Sequence, residues 1–129
     1  MAVIYLNANT ISSTKTIGAG QNWLASIGNV IYATTMSNTI VSVDKLTKSV
    51  GMQKYIGETP MQVIADSAHN KLIVLTEGNY SPKPEGKILF GDPATFAITD
   101  SIKIDTSHFV NQLVLASNKV YILFKDAVK

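Results

Sequence analysis

Five residues in the polar stretches of the sequence are of the types that bind divalent cations or transfer protons: Glu58, Glu77, Glu85, Asp105 and His108. Carboxylate oxygens suit calcium or magnesium, and a carboxyl group beside a histidine can act in general acid and base catalysis. No recognised motif joins these residues, and they are spread over different loops. A solvated rim of charges is therefore the preferred interpretation, and we predict no metal, no cofactor and no catalytic residue.

The longest polar stretch covers residues 77–86 and adds an aromatic residue and a cation to two of these carboxylates. Two prolines and two glycines within it set the course of the chain. Such a segment is either a recognition loop or an insertion tolerated at a surface. The predicted ligand-binding set is accordingly Glu58, Glu77, Tyr80, Lys83, Glu85, Asp105 and His108.

Other catalytic and cofactor-binding patterns are missing from the sequence. It has no Gly-x-Ser-x-Gly elbow, no Walker loop and no Gly-x-Gly-x-x-Gly run. Trp23, the single tryptophan, could stack on a sugar, but packing against other strands is the preferred interpretation. Tyr32 and Tyr121 occupy matching positions in similar apolar segments and are also expected to pack.

Composition bounds the class of protein. The chain has 129 residues, of which 46% are hydrophobic and 16% charged, and it has no cysteine. This favours one globular domain and excludes a disulfide scaffold or a cysteine zinc cluster. The 11 basic residues are all scattered lysines and the net charge is +2, so nucleic acid is not an expected partner. No apolar run reaches the roughly 18 to 20 residues that cross a bilayer, so no membrane span is expected.

Short segments rich in Ile, Val, Leu, Tyr and Thr alternate with Gly, Asn, Asp and Pro, which predicts an all-β fold without helices. The ten clearest strands are predicted at Val3–Leu6, Trp23–Ser26, Val30–Thr34, Thr39–Val43, Met61–Ala65, Leu72–Thr76, Lys87–Phe90, Ala97–Lys103, Val110–Leu115 and Lys119–Phe124.

Three marks repeat in the same order along the chain. The first is an Asp or Asn followed three residues later by Thr, which predicts a turn closed by side-chain bonds to backbone amides. The second is an isoleucine that ends a strand, at Ile17, Ile56 and Ile104. The third is a pair of apolar strands with an Asn before the second strand. The predicted turn residues are Asn7 and Thr10, Asp44 and Thr47, and Asp92 and Thr95.

The period of about 40 to 48 residues is that of a four-stranded propeller blade. The segment from Asn38 through Asp44 and Thr47 to Ile56-Gly57-Glu58-Thr59-Pro60 resembles the repeats of the YVTN-type surface-layer β-propeller family. The likeness continues through Val63–Asp66 and Asn70–Val74, while the unit that begins at Ile104 lacks the Gly and the Pro. The resemblance implies a β-propeller, a fold whose members are structural, binding or enzymatic.

The phase of the repeat divides residues 1–129 into a half blade, two whole blades and another half. Naming the strands of a blade a to d, strands c and d occupy 1–17, with Val3–Leu6 followed by Ile11–Thr16. Full repeats occupy about 18–56 and 57–104, and strands a and b occupy 105–129. Three blade equivalents are too few to close, so we expect about half of a six- or seven-bladed ring. The rest is supplied by another copy, as a dimeric ring or a filament, or by further sequence of a longer propeller.

The expected function is that of a non-enzymatic interaction module, in an exported or cell-surface protein, whose loops bind protein or glycan. The extracellular placement follows from the likeness to surface-layer propellers and from the absence of cysteine, although the chain shows no signal peptide. One alternative is a self-assembling structural protein that uses its complementary terminal half-blades. A second alternative is a propeller hydrolase or lactonase with a divalent cation among the carboxylates at the ring mouth.

Overall fold

The computed structural model describes residues 2–5, 10–14, 16–17, 20–57, 59–78, 85–104 and 110–125. The described residues form an all-β chain of twelve strands without a helix. The strands are β1 (Ala2–Tyr5), β2 (Thr10–Thr14), β3 (Gln21–Ile27), β4 (Val30–Thr35), β5 (Thr39–Asp44), β6 (Val50–Tyr55), β7 (Pro60–Asp66), β8 (Lys71–Thr76), β9 (Lys87–Gly91), β10 (Ile98–Lys103), β11 (Val110–Ala116) and β12 (Lys119–Phe124).

The strands form four antiparallel sheets, each built from consecutive strands. Sheet 1 is β1–β2, sheet 2 is β3–β4–β5–β6, sheet 3 is β7–β8–β9–β10 and sheet 4 is β11–β12. Neighbouring strands in each sheet are consecutive in the chain and antiparallel, so each sheet is a meander without a crossover. The all-β prediction is therefore confirmed at the level of strands and sheets.

Sheets 2 and 3 are buried on both faces at their centres. In β8, the consecutive residues Leu72, Ile73, Val74 and Leu75 are all at most 2% exposed. A strand covered on both sides needs an uninterrupted apolar run, because successive side chains point to opposite faces. The sequence of β8 therefore already requires one packing partner on each side of sheet 3.

Apolar cores lie between successive sheets. Tyr32 and Ile40 of sheet 2 pack on Val63, Leu72 and Val74 of sheet 3. We call the face of a sheet that turns toward the next sheet along the chain its leading face, and the opposite face its trailing face. Burial raises the pKa of the Tyr32 hydroxyl, and the Asp92 carboxylate of sheet 3 raises it further.

The same arrangement recurs between sheets 3 and 4. Ile73, Leu75 and Ile88 form the leading face of sheet 3 and pack on Val110 and Leu113 of sheet 4. On the other side of the molecule, the trailing face of sheet 2 packs on the chain that follows β2, in a core of Ile17, Ala33, Val41 and Val43.

The isoleucines that recur in the sequence share one packing role. Ile17, Ile56 and Ile104 each follow the last strand of their sheet and each lie in a different one of these three cores. Ile17 is 4% and Ile104 is 6% exposed. The recurring isoleucine therefore has an equivalent packing role in each of the three cores.

The turn between the third and fourth strands is the same in sheets 2 and 3. Asp44 Oδ1 accepts hydrogen bonds from the amides of Leu46 and Thr47 and from Thr47 Oγ1, at 2.8, 2.7 and 3.1 Å. Asp92 Oδ1 accepts the corresponding three bonds from Ala94 and Thr95, at 2.9, 3.0 and 3.2 Å. Of the first predicted pair, Thr10 is the first residue of β2, and Asn7 lies outside the described residues.

One strand departs from the sequence-based strands. The polar strand β6 is absent from the ten clearest predicted strands, and only the recurring isoleucine at Ile56 indicated that a strand ends there. Its alternating exposed residues reflect its position at the edge of sheet 2, where only part of one face is covered. The tyrosine prediction is right for Tyr32, which is 3% exposed, and wrong for Tyr121, which is 54% exposed because no sheet covers its face in the described structure.

Candidate functional site

The first strands of sheets 2, 3 and 4 lie side by side, with β3 packed along β7 and β7 along β11. Each of them contains a β-bulge after its first residue, where the pairing with the neighbouring strand shifts by one. The residues at the bulges are Asn22, Met61 and Asn111. A bulge redirects a side chain and is frequent next to binding sites. Three equivalent bulges thus present three side chains at the same end of adjacent strands.

Hydrogen bonds fix sheet 2 to sheet 3 at this end. The Asn22 amide donates from Nδ2 to the carbonyl oxygen of Pro60 at 2.8 Å. Thr34 donates from Oγ1 to the carbonyl oxygen of Met61 at 3.2 Å. Both bonds satisfy backbone carbonyls at the bulge of β7, where the regular ladder is interrupted. The bulge is therefore supported by polar side chains from the neighbouring sheet.

Sheet 3 is fixed to sheet 4 by one side chain, Gln62. Its Nε2 donates to the carbonyl oxygen of Leu113 at 2.9 Å, and its Oε1 accepts from the amide of Leu113 at 2.7 Å. Gln62 is only 5% exposed, and these two bonds pair its amide oxygen and one of its N–H donors with a single backbone residue. The relative position of β7 and β11 is consequently set by a bidentate contact.

A cavity of about 420 Å³ opens where the three bulges meet. We call it the bulge groove. The bulge groove is lined by residues at the bulged starts of the first strands and by residues of the loops that follow the second strands. The lining residues are Asn22, Trp23, Thr35, Met36, Asn38, Thr59, Met61, Gln62, Glu77 and Asn111.

Equivalent backbone bonds hold the loops around the groove. The amide of Met36 donates to the carbonyl oxygen of Gly20, and the amide of Glu77 donates to that of Thr59, each at 2.9 Å. Gly20 has φ of 54°, and a Cβ there would lie 2.5 Å from Met36 Sδ. The left-handed backbone angle favours glycine at this position, and a Cβ there would displace the Met36 side chain.

The groove combines an aromatic surface with neutral polar groups. Trp23 is 42% exposed, so the prediction that it packs between strands is wrong for much of its ring. It follows the bulge at Asn22, which brings its ring to the open end of the strand stack. Amide side chains come from Asn22, Asn38 and Asn111. Such a surface suits a ligand with hydroxyl or amide groups.

Charge in the groove is nearly balanced. The carboxylate of Glu77 lies 3.6 Å from the ammonium group of Lys125, through Oε1 and Nζ. The side chain of Glu77 is 15% exposed and that of Lys125 is 49% exposed. Both residues directly follow the second strand of their sheet, as Met36 does in sheet 2. The ion pair thus bridges sheets 3 and 4 and, among the lining residues that the structure describes, balances the charge of the Glu77 carboxylate.

The two predicted ligand-binding residues within the described part of the chain lie in different places. Glu77 lines the bulge groove, whereas Glu85 does not, and its Oε1 lies 3.5 Å from Lys103 Nζ instead. The remaining five, Glu58, Tyr80, Lys83, Asp105 and His108, are outside the described residues. Among the residues that are described, no three or more His, Cys, Asp or Glu side chains form a group that could hold a metal ion.

An acid and a histidine do meet, at the opposite end of sheet 3 from the groove. His69 Nδ1 lies 2.7 Å from Asp66 Oδ2 in the turn after β7. Partial burial would raise the pKa of the Asp66 carboxyl, but hydrogen bonds from the side chain and backbone of His69 lower it below its ordinary value. The pair closes the turn and contributes nothing to the groove.

Sequence reasoning missed most of the groove. Asn22, Met61 and Asn111 hold the same position at the bulged starts of three strands, immediately before Trp23, Gln62 and Gln112. That alignment was the available signal, since a shared position at the start of an inner strand predicts a shared location. Carboxylates in loops indicate a candidate metal or catalytic site by residue type alone, whereas neutral amides do not indicate a binding site unless their position at a bulge is known.

Comparison with known proteins adds no relative. No protein-family model matches the chain, and no curated protein matches it either. Within the described residues, no helix is both long and apolar enough to pass through a bilayer. Function must therefore be argued from the sheets and the groove themselves.

Proposed function

We propose that the four sheets are parts of a β-propeller. Sheets 2 and 3 would be whole blades, sheet 1 the last two strands of one blade, and sheet 4 the first two strands of another. Support comes from the meander order, from the contact of first strand with first strand, and from the bulge repeated in β3, β7 and β11. The resemblance to YVTN-type repeats points the same way. In this arrangement the bulge groove faces the mouth of the central channel.

The function that this geometry supports best is binding of a neutral glycan, without catalysis. The observation that carries the proposal is a 42% exposed tryptophan in a groove of about 420 Å³ that three equivalent bulges surround. An indole offers a flat apolar surface to the C–H face of a sugar ring. The amides of Asn38 and Asn111 offer donors and acceptors to its hydroxyl groups.

The electrostatics of the groove favour a neutral ligand over a charged one. Its one described carboxylate, Glu77, is paired with Lys125. An anionic or cationic ligand would compete with this ion pair, whereas a sugar would leave it intact. A peptide is the main competing ligand, since amides and an aromatic residue also suit a backbone.

We place this module in an exported or cell-surface protein, where glycans are abundant. The supporting features are the absence of cysteine, the many Ser, Thr and Asn residues, and the likeness to surface-layer propellers. Localisation of the tagged protein in fractions of its source cells would test this placement independently of binding.

The single tryptophan makes the binding test direct. Neutral oligosaccharides of glucose, mannose and N-acetylglucosamine are titrated into the protein while Trp23 fluorescence is recorded. We expect a saturable change with at least one of them. Asn111→Ala should weaken that binding about tenfold, the equivalent of about 1.4 kcal/mol, because it removes polar contacts and keeps the fluorophore. Leu46→Ala, at a 76% exposed turn position of sheet 2, is the matched control and should bind as wild type.

Two results would overturn glycan binding. One is the lack of a saturable response to any of the sugars at millimolar concentration. The other is an affinity that Asn111→Ala leaves unchanged. A response to an extended uncharged peptide with none to the sugars would assign the groove to protein ligands and reject the proposal as stated.

A further inference from the structure

The leading face of sheet 4 is the surface that we infer binds a second copy of this chain, through the trailing face of the copy's sheet 2. The inference extends the propeller arrangement proposed above and does not depend on glycan binding. It follows from comparing residues at equivalent positions in three successive sheets.

Residues on the leading faces of sheets 2 and 3 are buried by the next sheet. Tyr32 of β4 is 3% exposed under sheet 3, and Leu75 of β8 is 0% exposed under sheet 4. Their equivalents in β12 are Tyr121 and Leu123, which are 54% and 50% exposed. Val114 of β11, on the same face, is 51% exposed. The leading face of sheet 4 thus has apolar residues at the positions that are buried in sheets 2 and 3, but no sheet packs on it in the described structure.

The leading face of sheet 4 also carries a glutamine at the position from which Gln62 binds sheet 4. Gln62 occupies the position after the bulge of β7 and binds both backbone groups of Leu113. Gln112 occupies the position after the bulge of β11 and is exposed. By the same geometry, its amide would bind the backbone N–H and C=O of the residue equivalent to Leu113 in a following sheet.

The chain itself contains the complementary surface, on the trailing face of sheet 2. Leu24 of β3 is equivalent to Val63 of β7 and to Leu113 of β11. Val63 and Leu113 are each 1% exposed because the preceding sheet covers them, whereas Leu24 is 47% exposed. Leu24 is therefore the expected backbone partner of Gln112 from another copy.

Edge strands add a second reason for self-association. In the described structure β12 pairs only with β11, and β1 pairs only with β2. Because Ile17 packs on the trailing face of sheet 2, a second copy that places its sheet 2 over sheet 4 would bring the chain after its β2 to the same side. Pairing of that copy's β1 with the open edge of β12 would then complete a four-stranded sheet. Main-chain hydrogen bonds along the joined edges would then reinforce the apolar contact.

The contact is heterologous, because it joins one face of a copy to a different face of another. Such contacts close into rings or continue as filaments, according to the rotation between copies. A ring and a filament would both use the inferred surface. An oligomer that forms through another surface would not respond to the substitutions described below.

Sedimentation velocity from about 1 to 100 μM tests the inference, because a micromolar association changes its populated species over that range. We expect a dimer or larger species that dissociates on dilution. Leu123→Lys and Leu24→Lys should each weaken association by at least about tenfold, because each places a charge in an apolar contact. Leu46→Lys, which adds the same charge at a 76% exposed turn residue, should leave association unchanged.

Circular dichroism of the lysine variants should retain the β-sheet spectrum, since both residues are about half exposed in a single copy. Gln112→Ala tests the polar contact without adding charge and should weaken association severalfold. A wild-type monomer at every concentration would overturn the inference. So would an assembly that resists both Leu123→Lys and Leu24→Lys. Glycan titration of the Leu123→Lys monomer keeps the proposed binding function separate from this result.

Discussion

The side-chain amide of Gln62 binds both backbone groups of Leu113, which lies 51 positions further along the chain. The two bonds measure 2.9 and 2.7 Å, and both residues are at most 5% exposed. Because one planar amide contacts an N–H and a C=O together, it fixes the position of β11 along β7. Sheets 3 and 4 are therefore joined in register by polar contacts as well as by apolar packing.

Removing the side-chain amide of Gln62 should destabilise the protein more than removing an exposed amide does. Gln62→Ala leaves the amide and carbonyl of Leu113 buried without their partner, which costs about 1 to 3 kcal/mol in the free energy of unfolding. Urea denaturation measures it. Gln53→Ala, at an exposed position in β6, is the matched control and should change stability by less than about 0.5 kcal/mol. Equal effects of the two substitutions would show that the Gln62 contact is unimportant.

Acid should remove the stabilising effect of the Asp44 turn. Hydrogen bonds from the backbone and side chain of Thr47 hold the pKa of the Asp44 carboxyl below its ordinary value. Since the folded pKa is lower than the unfolded value of about 3.9, the contribution is complete above that value and disappears as the pH falls through the folded pKa. The melting temperature of wild type should therefore exceed that of Asp44→Asn at neutral pH, and the gap should shrink below about pH 4.

Asp100→Asn provides the control for this experiment, because Asp100 is exposed and accepts a bond from the adjacent amide of Ser101. Its gap from wild type should stay small across the same pH range. A gap for Asp44→Asn that is unchanged by acid would contradict the assigned role of the carboxylate.

A methyl group at position 91 should clash with the ring of Phe96. A Cβ on Gly91 would lie 2.5 Å from Cε2 of Phe96, a side chain that is 0% exposed. Gly91→Ala should cost about 1 to 3 kcal/mol, as overpacking of a core generally does. In a double-mutant cycle with Phe96→Leu, the smaller side chain should relieve at least about 0.5 kcal/mol of that cost. Strictly additive effects would indicate that the two positions do not touch.

The repeated isoleucines should differ sharply from nearby exposed ones. Ile104 is 6% exposed in the core between sheets 3 and 4, whereas Ile102 is 51% exposed in β10. Ile104→Ala should lower the free energy of unfolding by about 2 to 4 kcal/mol. Ile102→Ala should lower it by about 1 kcal/mol or less. Chemical denaturation of both variants measures the difference. Similar losses in the free energy of unfolding would show that Ile104 does not contribute to the core as its burial indicates.

Much of the architecture was predictable because it depends on neighbours in sequence. The turns at Asp44 and Asp92 arise from bonds to residues two and three positions later, so the residue types and their spacing are enough to indicate them. The apolar run of β8 likewise requires packing on both faces. The order of strands within each sheet follows from short connections between antiparallel neighbours.

The site was less predictable because it depends on contacts between distant residues. Nothing near Gln62 in the sequence indicates that it binds Leu113, and nothing near Trp23 indicates that a bulge leaves it half exposed. Phe96 adopts φ of 49°, which is unusual for a bulky residue. Its complete burial against sheet 2 offsets that strain, and burial of this kind is a property of the stacked sheets rather than of the turn.

Each sheet presents a leading face to the trailing face of the next, and we infer that sheet 4 presents its leading face to another copy. Cross-linking through introduced cysteines tests this contact, because the native chain has no cysteine. Gln112→Cys and Leu24→Cys proteins are mixed and treated with a short bismaleimide. We expect a covalent dimer that contains one of each, while Gln112→Cys mixed with Leu46→Cys should give little. If the mixture of Gln112→Cys and Leu24→Cys cross-links no better than this control, sheet 4 does not bind the trailing face of sheet 2 in another copy.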